Sequence, residues 1–166
     1  MDWFTADMHF NHGNIIKYCG RPFWSAEQMN ETMIANFNSR VNPFDTVYHM
    51  GDFKFSASLQ NVYELLKQLN GRWVFIRGNH DKNNGVHTIL EHAVIKTFGQ
   101  EILLVHRPQD ADAHSILYDF VFCGHVHQLW KFRPGMVNVG VDVWDFMPVH
   151  AKQIFKAYKQ WERGLM

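Results

Sequence analysis

Five short apolar runs in this chain each stop at a side chain able to bind a metal or move a proton. That recurrence constrains the fold more than any other feature. The clearest case is Trp73-Val74-Phe75-Ile76-Arg77-Gly78-Asn79-His80-Asp81. Its aromatic and β-branched residues suit a buried strand, Gly78 breaks the run, and three polar side chains follow at once. Open α/β sheets keep their chemistry at such carboxyl ends. Other runs stop at Asp7-Met8-His9, at Gly51-Asp52, at His106 and at Gly124-His125-Val126-His127. One such end is ordinary, since Gly-Asn is also a common turn. Packed sheets can bring several to one edge.

Between those ends the hydrophobic period switches from two to nearly four. Residues 2–6 and 46–50 read as strands. Ser25-Ala26-Glu27-Gln28 reads as a capping box, opening a helix with Met29, Met33, Ile34, Phe37 and Val41 on one face. After a Ser-rich loop, Leu59, Val62, Leu65, Leu66 and Leu69 make the stripe of a second helix, with Asn70-Gly71 as its C-cap. The third strand follows, then the turn Asn83-Asn84-Gly85 and a short helix over 86–92. Strand 94–98, turn Gly99-Gln100 and strand 101–105 predict a hairpin. A polar loop through Asp110 and Asp112 leads to strand 118–123, and 129–132 with 136–143 predict a second hairpin around Pro134-Gly135. A helix starting near Pro148 buries Ile154, Phe155, Tyr158 and Trp161. Strand–helix units in front and hairpins behind predict an α/β fold. The expected form is a four-layer α/β/β/α sandwich of two facing mixed sheets flanked by helices, with residues 1–166 as one domain.

Sixteen basic residues balance sixteen acidic ones. Zero formal charge argues against gripping long polyanions or anionic membranes by bulk electrostatics. No apolar run is long enough to span a bilayer and no charged-then-apolar leader opens the chain, so the expected compartment is the cytosol. Cys123, closing Phe120-Val121-Phe122, reads as a core thiol. Eleven histidines are more than packing needs, which directs attention to metal. The strand ends collect two carboxylates, an amide oxygen and several imidazoles. Mixed O and N ligands without thiolate suit manganese, iron, nickel, cobalt or zinc better than calcium or cuprous copper. The set is too large for one ion and adequate for two. Two divalent ions against two aspartates leave the site positive, favouring an anionic substrate.

In order along residues 7–127, these five motifs resemble those of the calcineurin-like metallophosphoesterases. Residues 10–14, Arg21-Pro22-Phe23 and Val139-Gly140-Val141-Asp142 are similar to compact, single-domain members. The resemblance implies that Asp7, His9 and His127 hold one divalent ion, that Asn79, His106 and His125 hold the other, and that Asp52 bridges them. His80 would face the substrate, bonding phosphate or protonating the leaving oxygen, with Asp81 orienting it. Manganese is the first expectation for both ions. The implied reaction is hydrolysis of phosphate esters by a hydroxide bridging the two ions. Diesters are preferred over monoesters because no cap insertion is evident. The expected partner is a small phosphorylated substrate, with nucleotides and cyclic nucleotides as candidates. A nuclease acting on nucleic-acid ends and a non-catalytic scaffold of the same fold are the alternatives. The second motif continues as Phe53-Lys54-Phe55 rather than the Asp-Arg-Gly of protein phosphatases, which argues against that activity. Val105 stands where a glycine often precedes the fourth-motif histidine.

Other polar residues read as structural. His12 is expected to make a loop hydrogen bond, His49 to sit in the core or on a sheet face, and His87, His92, His114 and His150 to be surface groups. Arg21, Arg77, Lys82 and Arg107 lie near motif positions, as phosphate contacts or as solvated charge. Trp144 and Phe146 read as core packing, with stacking on a substrate ring as the alternative.

Overall fold

A computed structural model describes residues 1–55, 59–111 and 117–165. Ser56, Ser58, Asp112 and His114 lie outside the described residues, as does the side chain of Leu59. In chain order the strands are β1 (Asp2–Thr5), β2 (Thr46–His49), β3 (Arg72–Phe75), β4 (His92–Thr97), β5 (Gln100–Val105), β6 (Phe120–Cys123), β7 (Phe132–Arg133), β8 (Met136–Asn138) and β9 (Val149–His150). The helices are α1 (Gly13–Tyr18), α2 (Ala26–Asn38), α3 (Leu59–Leu66) and α4 (Ala151–Glu162). One sheet has the order β3-β2-β1-β9 and the other β4-β5-β6-β8-β7. Both are mixed: β1, β2 and β3 are parallel with β9 antiparallel, while β5, β6 and β8 are parallel between antiparallel β4 and β7.

Strand alternation assigns the layers. Phe4, Ala6, Met50 and Ile76 point from the first sheet toward Ile102, Leu104 and Phe122 of the second, forming one core. Within it Phe4 and Phe122 meet edge to face, centroids 5.1 Å apart. Each such fully buried side chain contributes about 1.5–3 kcal/mol. Alternate residues Trp3, Val47 and Trp73 face outward, where α2 supplies Met29, Met33 and Phe37 and the α3 region supplies Val62, Leu65 and Leu69. On the far face of the second sheet, Leu103, Val105, Val121 and Cys123 pack with Ala111 of the 3-10 turn Pro108–Ala111. The architecture is thus two facing mixed sheets flanked by helices, with a thin outer layer over the second sheet. Helix α4 sends Ile154 and Tyr158 into the inter-sheet core instead. Among the described residues no helix is long and apolar enough to cross a membrane.

Ser25 caps α2, its Oγ accepting the Gln28 N–H, and the Gln28 side chain reaches back to the Trp24 N–H. Four sequence expectations are corrected. Residues 86–92 form no helix. A 3-10 turn covers Asp81–Asn84, and the following chain runs back along the end of β3, with Arg77 N–H donating to Leu90 O. The first hairpin turns at Phe98-Gly99, one residue early, because Thr97 pairs with Gln100 and both turn residues have positive φ. The second hairpin ends at Asn138. Val139 N–H then donates to Cys123 O and Val141 N–H to Ala6 O, so the chain crosses from one sheet to the other and coils into the 3-10 turn Val141–Val143. Finally, His150 is not a plain surface group. It ends β9 and caps α4, its Nδ1 accepting the Lys152 N–H while Gln153 accepts the His150 N–H.

Candidate metal centre

The parallel pairing of β1 with β2 continues past the strand ends. Asp7 N–H donates to Gly51 O, His9 N–H to Asp52 O and Phe10 N–H to Phe53 O, each at 3.0 Å. Asp7 and His9 are thereby zipped beside Asp52. From the second sheet, His125 N–H donates to Asp7 Oδ2 at 2.9 Å, joining the two strand-end clusters. Asp7, His9, Asp52, His125 and His127 all adopt positive φ, between 44° and 70°. Such conformations cost about 1–3 kcal/mol each and persist only where the surroundings enforce them. Two glycines make the approach possible. A Cβ on Gly78 would run into the Asp52 carboxylate, and one on Gly124 would lie 2.7 Å from Asp7 Oδ2.

The side chains gather in two sets. Ligand atoms of Asp7, His9 and His127 lie within 4.8 Å of one another, and so do those of Asp52, His106 and His125. Asn79 Oδ1 is 2.9 Å from His106 Nε2 and joins the second set. Asp52 Oδ2 stands between the sets, 3.7 Å from His9 Nε2 and 3.4 Å from His106 Nε2. Its other oxygen accepts the His80 backbone N–H at 2.9 Å. The His80 ring is exposed at the rim, its centroid 5.9 Å from that of His9. All seven residues expected to bind metal are therefore at one place.

The chemistry of these atoms fits a divalent cation. Asp7 Oδ1 and His9 Nε2 are buried and have no hydrogen-bond partner among the described residues. The Met50 carbonyl, 2.7 Å from His106 Nδ1, can only accept, so Nδ1 carries a proton and Nε2, facing Asn79 and Asp52, is the atom left for a second proton or a metal ion. In the metal-free site, protons must supply the missing positive charge. Burial pushes the Asp7 carboxyl up to about 6 and holds His9 well below the ordinary imidazole value. Burial also works against charge on His106, but its bond to Asp52 and the charges of Asp7 and Asp52 lift it to about 9. Despite burial, Asp52 is held well below the usual carboxylate range by His106 and His9. Divalent ions would replace those shared protons and satisfy both orphaned atoms.

Two residues given no metal-supporting role by sequence brace the first set. Arg21 was expected to meet phosphate or solvent, yet it is buried. Its Nε and Nη2 donate to the Asp142 carboxylate at 2.8 and 3.0 Å, and its Nη groups donate to Met8 O and Asp7 O. Asp142 in turn lies 2.9 Å from His127 Nδ1. Burial opposes charge on His127, but Asp142, Cys19 and Asp7 together outweigh it and lift the imidazole to about 10. One guanidinium thus holds both the strained Asp7–His9 backbone and the carboxylate that orients His127. The signal was present in Arg21-Pro22-Phe23 and Val139-Gly140-Val141-Asp142; only the contact was missing. Asn138 adds a further brace, donating to His127 O at 2.7 Å.

Asp81 needs a correction. It does not bond the His80 ring. Its two oxygens accept the backbone N–H groups of Asp52, Phe53 and Gly78, so it ties the Asp52 loop to the turn after β3. The remaining polar residues sort by contact. His12 stacks on Phe55 at 4.2 Å and touches the ring of His9. Arg77 is ion-paired with Glu91. Trp144 donates its Nε1–H to Asn138 O, and Phe146 packs against the outer core beside α2. Lys131 lies over the Trp144 ring and Arg21 over that of Phe146.

Residues 5–143 match the family model of the calcineurin-like phosphoesterase superfamily domain. The chain belongs to that superfamily. It is 37% identical over 163 residues to the uncharacterized protein MJ1445 of Methanocaldococcus jannaschii, covering 93% of this chain and 89% of that protein. It is also similar to a crystal structure of AQ665, a protein of unknown function from Aquifex aeolicus, with a TM-score of 0.76 and 25% identity over 95% of this chain and 98% of that one.

Proposed function

We propose that the chain is a phosphodiesterase working with two divalent ions, manganese first among them, on small phosphorylated substrates in the cytosol. The observation that supports it most is Asp52, which belongs to the set with His106 and His125 yet also reaches the set of Asp7, His9 and His127, its Oδ2 lying 3.4 Å from His106 Nε2 and 3.7 Å from His9 Nε2. Asp7, His9 and His127 would hold one ion and Asn79, His106 and His125 the other, with Asp52 shared. The ions would supply Lewis acidity and an activated water for attack on phosphorus. The protein does the rest. Asp142 and Met50 O fix the tautomers of His127 and His106, so that each presents a lone pair inward. Asp81 and Arg21 hold the loops that carry Asp52 and Asp7. His80, exposed at the rim, hydrogen-bonds the phosphate or protonates the leaving oxygen, a contribution of about 10²–10⁴ in rate.

The test is turnover of bis(p-nitrophenyl) phosphate with added manganese, alongside elemental analysis. Hydrolysis with about two bound equivalents supports the reading. Bound ions without turnover in manganese, iron, nickel, cobalt or zinc would overturn it in favour of a binding scaffold.

A further inference from the structure

A cavity of about 640 Å3 opens beside the second set of ligands. The ligands Asn79 and His106 line it, together with Arg107, Leu103, Asp110 and Tyr118 among others. The volume lies within the roughly 300–1,000 Å3 of small-molecule sites and is far more than a phosphate group needs. His80 does not line it. That ring stands on the other side of the centre, beside His9 and near the stacked pair His12–Phe55. The surroundings of the centre are therefore two-sided, with the proton donor on one side and a half-open cavity on the other.

We propose that this cavity takes the retained nucleoside of a nucleoside phosphodiester, while the second ester oxygen departs past His80. The inference rests on the phosphodiesterase reading and names its substrate class. Tyr118 packs against the cluster of Leu103, Val105 and Ala111, so its ring is a fixed surface on which a base can stack. Asp110 offers a carboxylate to ribose hydroxyls or ring N–H groups. Arg107 follows His106 directly, placing a cation at the phosphate end, and among the described residues its guanidinium makes no hydrogen bond. Arg77, held by Glu91 and the Thr88 carbonyl, is committed to the wall. In the reaction, water forms a new P–O bond and loses one proton to solvent. The P–O bond to the leaving group breaks, its oxygen takes the electron pair and a proton from His80, and His80 regains a proton from solvent. The nucleoside monophosphate stays in the chamber until release.

The experiment keeps the leaving group constant and changes the retained one. Thymidine 5′-(p-nitrophenyl phosphate) and methyl p-nitrophenyl phosphate are compared at saturating manganese, for the wild type and for Tyr118→Ala and Arg107→Ala. The expected result is a kcat/KM at least about ten-fold higher for the thymidyl ester, carried mainly by KM, and lost in Tyr118→Ala, since one stacked base is worth about that factor. Calorimetric binding of thymidine monophosphate should weaken by a similar factor in both variants. Equal kcat/KM for the two esters, or a ratio untouched by Tyr118→Ala, would overturn the proposal while leaving the phosphodiesterase reading intact. If neither ester is hydrolysed, that reading fails, and absence of nucleotide binding in the same calorimetry would reject the cavity assignment as well.

Discussion

The two halves of the centre are built unequally. Around Asp7, His9 and His127 the protein is more closed: Asp7 is fully buried, His9 nearly so, His127 is half-buried, and a buried Arg21–Asp142 pair fixes both the loop backbone and the His127 ring. Around Asn79, His106 and His125 it is open. Two of the three are half-buried, the side-chain anchor is a main-chain carbonyl, and a cavity begins at their feet. The contrast separates two tasks. One half is held by charge pairs that cost desolvation and return rigid geometry, and the other leaves room for a ligand to arrive.

Removing the residue common to both halves should have the largest effect. Asp52→Asn is expected to weaken metal at both sites, with bound metal falling from about two equivalents to below one and turnover lost. If elemental analysis still finds both equivalents tightly held, Asp52 is not shared. His80→Ala comes next, with kcat lowered about 10²–10⁴-fold and metal content unchanged. The two should separate cleanly, because only the backbone N–H of His80 bonds Asp52 and alanine keeps it.

Asp142→Asn tests the asymmetry itself. It keeps an acceptor for His127 but removes the charge, and should lower affinity about 10–100-fold at one site only. Equal weakening of both sites in a two-step metal titration would erase the distinction between the halves.

The smallest effect concerns a histidine of the same segment that stays outside the centre. His49 is fully buried among Phe53, Trp73 and Phe75, its Nδ1 accepting the Gly51 N–H. Burial lowers its pKa from 6.5 to about 3. Its folded form therefore binds fewer protons than the unfolded chain. The stability this contributes is complete above pH 6.5 and declines as pH falls toward 3, by at most about 1.4 kcal/mol per unit. In metal-free protein, His49→Asn keeps the acceptor and should flatten that part of the stability–pH curve measured by denaturant titration. An unchanged slope would mean that His49 is protonated in the fold.

How much of this was legible in the sequence differs by residue. Asp52, Asn79 and His125 were readable because a strand that ends in Gly and a polar donor announces itself locally, and Asp7 because its strand stops at Asp-Met-His. Ser25 and Gln28 announced a helix start for the same reason. Asp81 was misassigned because the family resemblance implied that it orients His80, whereas tight turns at positive φ left three backbone N–H groups converging on it. Residues 86–92 carried a weak helical pattern that lost to backbone bonds with the end of β3. Strand β9 was missed because two residues have no period to detect.

What the sequence alone determined is most of the order of strands and helices, the donor chemistry at the strand ends and the absence of bulk charge. These follow from neighbours within a few positions, where propensity and periodicity act. Tertiary structure alone decided the rest. Arg21 and Asp142 meet across 121 positions. Five ligand residues hold left-handed backbones. A cavity opens between the second set and Tyr118. None of these has a local signature, because each arises when two packed sheets place distant loops against one another and the burial energy of the core holds them there.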